Sequence, residues 1–340
     1  MYNRFLSERT AAYARQEKLN YADTSRMLTA LKREPEYLWL NEVSSVPLQR
    51  QLQTAFKNFF NQRTRYPTFR KKGGVQSAEY TRSAFRFDVG NRRLALAKLS
   101  RLKVKWSRPI PVEPTTVTVI RKPSGRYFVS LVIDVQPAPL PETGQEVGID
   151  FGLRRLATLS TGETVGNPRY FAKYKRKLAK AQKALARKQK GSKRREKARI
   201  RVARIQEKIA NCRDDHQKQL AWRLFNRFDV VYVEGLNLRG MVKNHNLARS
   251  VSDASIGGYI KRLETKAAMH GKKVVKIDRF FPSTKMCSQC GQLHDMPLGK
   301  EWMVCDCGNK MDRDLNAALN LLAVGQTERI NARGDGVSLQ

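Results

Sequence analysis

Two adjacent runs, EVGIDFG (146–152) and RLATLST (155–161), decide how the second half of this chain folds. The first is short and almost wholly apolar, the pattern of a strand buried on both faces. The second follows after two residues and reads as its antiparallel neighbour. Downstream, DVVYVEG (229–235) is a second buried strand and VVKID (274–278) reads as another strand. Between them YIKRLETKAAMHG (259–271) has helical spacing and a terminating Gly271. DRDLNAALNLL (312–322) reads as the start of another helix. Strands alternating with helices predict an α/β domain.

Upstream the chain changes character twice. Residues 3–62 are helical by spacing, with Leu48, Leu52, Phe56, Phe59 and Phe60 on one stripe, and Pro35 and Pro47 are expected to break the run. A basic loop, YPTFRKKGG (66–74), follows. AFRFDV (84–89), TVTVIRK (116–122) and RYFVSLVIDV (126–135) alternate apolar and polar side chains, with Pro-Ser-Gly at 123–125 as a hairpin turn. They predict a small antiparallel barrel or sheet, closed by the proline-rich stretch from Pro137 to Pro141.

Charge narrows the partner. The chain has 340 residues, with 66 Lys+Arg against 30 Asp+Glu, a net charge of +36. Such a charge repels itself unless a polyanion neutralises it, and nucleic acid is the first candidate. The excess is concentrated in 173–208, with 17 Lys/Arg against two Glu. A thin apolar stripe and a Gly191-Ser192 turn make that region a helical hairpin. It is read as a phosphate-tracking arm, with a solvated charged helix pair as the alternative. No apolar run is long enough to span a membrane, and the N-terminus lacks the apolar core of a signal peptide, so a cytoplasmic protein is expected.

Three acids stand where acids are costly. Asp150 ends one apolar strand, Glu234 ends another, and Asp314 lies at the mouth of the last helix. Each alone has an ordinary reading: Asp150 as a turn residue before Gly152, Glu234 as a strand end, Asp312 or Asp314 as a helix cap. Gathered together they would repel one another, and a bound Mg²⁺ would relieve that. Phosphodiester hydrolysis needs such a site.

Four of five cysteines cluster, as Cys287-x2-Cys290 and Cys305-x1-Cys307. Four thiolates suit a structural Zn²⁺ with no open position. His294, between the pairs, is read as a loop residue, and Cys212 as a buried apolar filler. Mixtures of rings and cations (Tyr66, Phe69, Arg70, Lys71 and Lys72; Phe280, Phe281 and Lys285) suit either base stacking or ordinary packing.

VGIDFGLRRLATLSTGE, VVYVEGLNLRGM and CSQCG…WMVCDCGNKMDRDLNAALNLL together resemble the TnpB proteins of bacterial insertion sequences, relatives of compact type V CRISPR nucleases. The resemblance implies a multidomain α+β and α/β chain: a helical recognition segment (1–75), a β-barrel-like wedge module (76–143), a ribonuclease H-like RuvC nuclease domain (144–281) with the basic hairpin (171–213), a zinc ribbon (282–310), a last RuvC segment (311–325) and a disordered tail (326–340). It implies Asp150, Glu234 and Asp314 as the metal-binding triad of a Mg²⁺-dependent endodeoxyribonuclease, with Asp312 the nearest alternative to Asp314. It also implies a guide RNA from the transposon end and a target-adjacent DNA motif, with a role in transposition and DNA recombination. Two departures stand out. The second cysteine pair has one spacer residue where the family has two, so a distorted knuckle is expected. Set against the family's order, the chain is also expected to open inside the helical segment, without the family's first strand. The rival functions are a non-cleaving RNA- and DNA-binding regulator and a DNA strand-transferase.

Overall fold

The structure, a computed structural model, describes residues 1–71, 73–297 and 299–332. The chain forms two compact units: Met1–Val135 with Arg199–Arg204, and Gln136–Ala198 with Ile205 onward.

The first unit begins with α1 (Tyr2–Ala14), α2 (Tyr21–Leu31), a 3₁₀ segment (Pro35–Glu42) and α3 (Ser45–Phe60). They close over Phe5, Leu6, Leu28, Leu31, Leu40, Leu52 and Phe56. Asn20 caps α2 with a reciprocal bond from Asp23, which fixes where that helix starts. Pro47 does not break the run as expected. It sits in the first turn of α3, where its missing N–H would have had no helical partner.

The β region of this unit holds two three-stranded antiparallel sheets. One has the order β1 (Gln76–Thr81), β5 (Thr116–Arg121), β6 (Tyr127–Val132). The other runs β2 (Phe85–Asp88), β3 (Arg93–Leu96), β4 (Ser100–Leu102). Tyr80, Phe85, Phe87, Leu94, Leu96, Ile110 and Val117 share one core. The Pro123–Gly125 turn joins β5 to β6, and Lys122 N–H donates to Arg126 C=O at 2.9 Å.

The second unit is built on a five-stranded sheet of order β11-β10-β7-β8-β9. The strands are β7 (Glu146–Phe151), β8 (Arg155–Leu159), β9 (Thr164–Gly166), β10 (Val230–Glu234) and β11 (Lys273–Ile277). β7, β8 and β9 form an antiparallel meander, while β10 lies parallel to both β7 and β11. Four helices follow the meander: α4 (Tyr170–Ala186), α5 (Lys193–Phe225), and, after β10, α6 (Leu238–Lys243) and α7 (His245–Ala254). A further helix, α8 (Ile256–His270), leads into β11. The hairpin β12 (Trp302–Val304) and β13 (Lys310–Asp312) then runs directly into α9 (Arg313–Ala332).

Side-chain alternation divides the sheet's two faces. Val147, Ile149, Val231 and Val233 face the core made with Leu220, Leu224 and Phe225 of α5 and Tyr259 and Leu263 of α8. Val230, Tyr232 and Ile277 pack instead with Leu321 of α9. Two glycines let α9 press onto that face. A Cβ at Gly148 would stand 2.0 Å from Ala318 C=O, and one at Gly325 would stand 2.0 Å from the Tyr232 ring.

The basic hairpin is longer than the expected 171–213. α5 continues to Phe225 because its last turns bury Leu220, Ala221, Leu224 and Phe225 in the sheet core. The tail expected to be disordered from 326 is helical to Ala332, and residues 333–340 lie outside the described residues. Glu146 explains the extension: it accepts from Gln326 Nε2 at 3.1 Å and pairs with Arg329 at 2.5 Å.

Candidate active site

The parity of β7 and β10 sets the site. Asp150 lies two positions from Gly148, and Glu234 two positions from Tyr232. Both acids therefore project toward the face that α9 covers. Parallel pairing sets Val233 beside Ile149, which brings the two strand-end acids to one level. Asp314 arrives from the opposite direction, in the first turn of α9.

Electrostatics register this convergence. Burial, then the charges of Asp314 and Glu234, push the Asp150 carboxyl up to about 7, against smaller opposing effects of Arg313 and Arg155. Burial also raises Glu234. The three carboxylates offer the hard oxygen donors a divalent cation takes, though among the described residues their oxygens do not all lie within 4.8 Å of one another. Nearby cations are engaged elsewhere or shared. Arg313 Nη1 donates to Pro297 C=O at 3.1 Å and Lys300 C=O at 3.4 Å, and Arg154 pairs with Glu301.

Arg155, the first residue of β8, is the exception. Its Nη2 donates to both oxygens of Asp312, at 2.8 and 2.7 Å, and to Asp314 Oδ2 at 2.9 Å. Its Nε donates to the same Asp314 oxygen at 3.2 Å. Asp312 Oδ1 accepts from the N–H groups of Asp314 and Leu315, at 3.0 and 3.2 Å, which makes it the cap of α9. Asp314 is the acid that Asp150 senses.

The cysteine ribbon sits immediately before this helix. All four sulfurs lie within 4.8 Å of one another, the one such group of metal-capable side chains among the described residues. Cys287 and Cys307 sulfurs are 3.7 Å apart and those of Cys290 and Cys305 3.5 Å apart. A tetrahedral zinc with 2.3 Å bonds needs sulfurs roughly 3.8 Å apart, so the donor set fits. The single spacer between Cys305 and Cys307 is accommodated by a tight turn, with Gly308 at φ 89° and its N–H donating to Cys305 C=O at 3.0 Å. Burial pushes the Cys287 thiol up. Bonds donated by Asn309 and the backbone outweigh it and bring the thiol down to about 6. His294 lies outside the group, in a loop whose backbone bonds Lys285, and Cys212 is half-buried, more open than a filler.

Two residues that anchor α9 were not singled out from sequence. Buried Asn316 accepts from Ser288 N–H at 2.9 Å and donates to Met286 C=O at 2.7 Å. Buried Asn320 donates to Ser283 and Met286 C=O, both at 2.7 Å. They fasten α9 to the base of the ribbon, so the ribbon holds the helix that carries Asp314. The signal was available: both are polar residues on an otherwise apolar helix.

The ring-and-cation mixtures separate into two kinds. Phe69 and Phe280 are exposed, with Arg279 over the Phe280 ring at 4.4 Å. Tyr66 packs edge-on against Phe56 and Phe59, and Phe281 packs beside Tyr232 and Ile277. Arg70 stacks on Tyr2 at 4.0 Å, and Lys72 lies outside the described residues. Lys173, Lys175, Arg176, Lys177, Lys180 and Lys183 all stand exposed on α4, which carries no acid. Among the described residues no helix is long and apolar enough to cross a membrane.

Comparison with known proteins bears on the family and the fold. Residues 130–245 match the OrfB_IS605 family, described as "Probable transposase", and residues 257–321 match the Cas12f1-like TNB domain. A "Putative RNA-guided DNA endonuclease" of Streptomyces pristinaespiralis is 46% identical over 100% of this chain and 86% of its own length. The Escherichia coli K12 protein named "Putative RNA-guided DNA endonuclease InsQ" is 27% identical over 96% of this chain and 86% of its own length. The fold is shared with the protein in a cryo-EM structure of a Cas12f1-sgRNA-target DNA complex, at TM-score 0.54 and 16% identity over 94% of this chain and 79% of that one. Full-length similarity at this level, with both family regions in order, means that the chain belongs to the TnpB family of OrfB-type proteins.

Proposed function

We propose that this protein is an RNA-guided DNA endonuclease, carried by a transposable element, that hydrolyses phosphodiester bonds at Asp150, Glu234 and Asp314. The convergence of these acids on the α9-covered face, sensed by Asp150, carries the reading. The strand order supports a ribonuclease H-like RuvC domain: an antiparallel meander extended by two parallel strands. The names of the relatives supply the RNA-guided activity.

Mg²⁺ held by the three carboxylates would supply an activated water and stabilise the leaving oxygen of an in-line displacement. The protein's own part is placement. Asp150 and Glu234 are fixed by neighbouring strands, and Asp314 by a helix that Asn316 and Asn320 anchor. Zn²⁺ on Cys287, Cys290, Cys305 and Cys307 would brace that anchor. A guide RNA from the transposon end would select the target by pairing, and the exposed basic face of α4 suits the RNA or DNA backbone. This activity would serve transposition and DNA recombination.

The test is cleavage of a plasmid library with randomised flanks by protein purified with RNA from the neighbouring element end. Mg²⁺-dependent cuts beside a fixed motif are expected, lost in Asp150→Ala and Asp314→Ala and retained at a reduced level in Asp312→Ala. Wild-type cleavage by Asp150→Ala would overturn the site assignment. Binding without cutting would point to a regulator, and RNA-independent joining of ends to a strand-transferase.

A further inference from the structure

Arg155 meets the acid cluster in a way that a simple positioning role does not explain. Asp314 Oδ2 accepts from both Nη2 and Nε of the guanidinium, so both of its lone-pair directions are taken. Its Oδ1 accepts no hydrogen bond among the described residues. The same Nη2 also bonds both oxygens of Asp312, at shorter distances. Asp312 is itself immobilised, because its Oδ1 caps α9 through the Asp314 and Leu315 N–H groups. The guanidinium therefore has one fixed anchor, Asp312, and one that can turn, Asp314.

Position supports the same distinction. Arg155 lies five residues after Asp150, at the irregularity where the β8–β9 register shifts between Arg155 and Ala157. The backbone departs from regular pairing there, and the side chain reaches across to the start of α9. Its side chain is 35% exposed, so water can solvate it when one contact is released.

We propose that Arg155 is a resident counter-cation that neutralises Asp314 in the metal-free protein, and that an entering divalent ion displaces it from Asp314 while Asp312 retains it. This rests on the reading of Asp150, Glu234 and Asp314 as a divalent metal site. A cation already paired with a ligand competes with the metal for it, and its charge opposes a second positive ion nearby. Removing Arg155 has two opposite effects. The metal-free protein loses its counter-charge and becomes less stable. The metal site loses its competitor and becomes tighter.

The experiment uses the full chain freed of nucleic acid, with thermal unfolding and isothermal calorimetry during Mg²⁺ titration. Arg155→Gln is expected to melt lower than wild type without Mg²⁺ and to reach half of its Mg²⁺-induced rise at about tenfold lower Mg²⁺. At saturating Mg²⁺ the gap between the two melting temperatures should narrow, leaving only what the retained Arg155–Asp312 pair contributes. Arg155→Lys keeps the charge but cannot fork onto both acids, and should fall between them. Asp314→Asn should abolish the response. An unchanged or higher Mg²⁺ midpoint in Arg155→Gln, with the response still lost in Asp314→Asn, would overturn the displacement. So would a stability gap as wide at saturating Mg²⁺ as without it. If wild type binds no Mg²⁺, the metal-site reading itself falls and the inference with it.

Discussion

Asp150 is the residue on which the site's energetics turn. It is half-buried, two carboxylates face it, and its proton is held up to about 7, against 3.8 for an ordinary aspartate. A folded carboxyl that binds its proton more tightly than the unfolded one favours folding at low pH. That advantage is full below about pH 4 and is lost as pH rises through about 7. Its ceiling is about 4 kcal/mol, reduced because solvent reaches the side chain. In Mg²⁺-free buffer, Asp150→Asn should therefore melt progressively higher than wild type as pH is raised from 4 to 7, with the two alike at pH 4. Melting curves of both proteins across that range measure the difference. A constant gap would mean that the acids do not share one electrostatic environment. Asp314, Glu234, Arg313 and Arg155 are the charges that act on this carboxyl.

Among the elements, the join between α9 and the sheet is the most exacting. Ala318 C=O lies where a Cβ at Gly148 would be, and backbone on both sides leaves no flexible atom to yield. Gly148→Ala should cost about 1–3 kcal/mol, the range for overpacking a close-packed interior, and should reduce cleavage beyond the loss of folded protein, because α9 carries Asp314. Denaturant unfolding together with cleavage by the soluble fraction tests this. A variant as stable as wild type would mean that α9 can slide. Strands β7, β8 and β10 were legible in sequence because burial on both faces writes itself as short apolar runs, and the edge strand β11 from its Val274-Val275 pair between exposed lysines and the Ile277 that follows. The cysteine cluster was legible from spacing alone. β9, β12 and β13 are three residues each and α6 six, too short for periodicity to register, while α7 carries Leu247, Val251 and Ala254 at helical spacing, a stripe of only three apolar residues in a polar stretch. The three acids could be picked out one by one, but not Arg155. Its partners, Asp312 and Asp314, lie more than 150 positions away, and nothing local marks an arginine at a strand start as special.

Over the whole molecule, the governing quantity is the +36 charge and its uneven placement. Within the second unit, α4 carries only cations among its charges, exposed along one helix. A quadruple substitution of Lys175, Lys177, Lys180 and Lys183 by Gln should lower the slope of log affinity against log salt for single-stranded RNA by about 0.7 for each phosphate no longer neutralised. The melting temperature should barely move, since these side chains are exposed and form no ion pairs among the described residues. Filter binding at several salt concentrations measures it, and an unchanged slope would return α4 to a merely solvated face.

The attachment of Asp314 to α9 also has a consequence for timing. The first acid of the cluster is made 164 positions before the last (314 − 150). During synthesis, β7 and β10 emerge long before the helix that covers them, so the sheet waits with Gly148 and Tyr232 uncovered. A chain still on the ribosome, or one cut short before the ribbon, possesses two acids and no third. Such fragments cannot assemble the proposed centre, however well their sheet has folded. Nuclease competence would thus be withheld until nearly all of this unit has been made, a safeguard that comes from chain order alone.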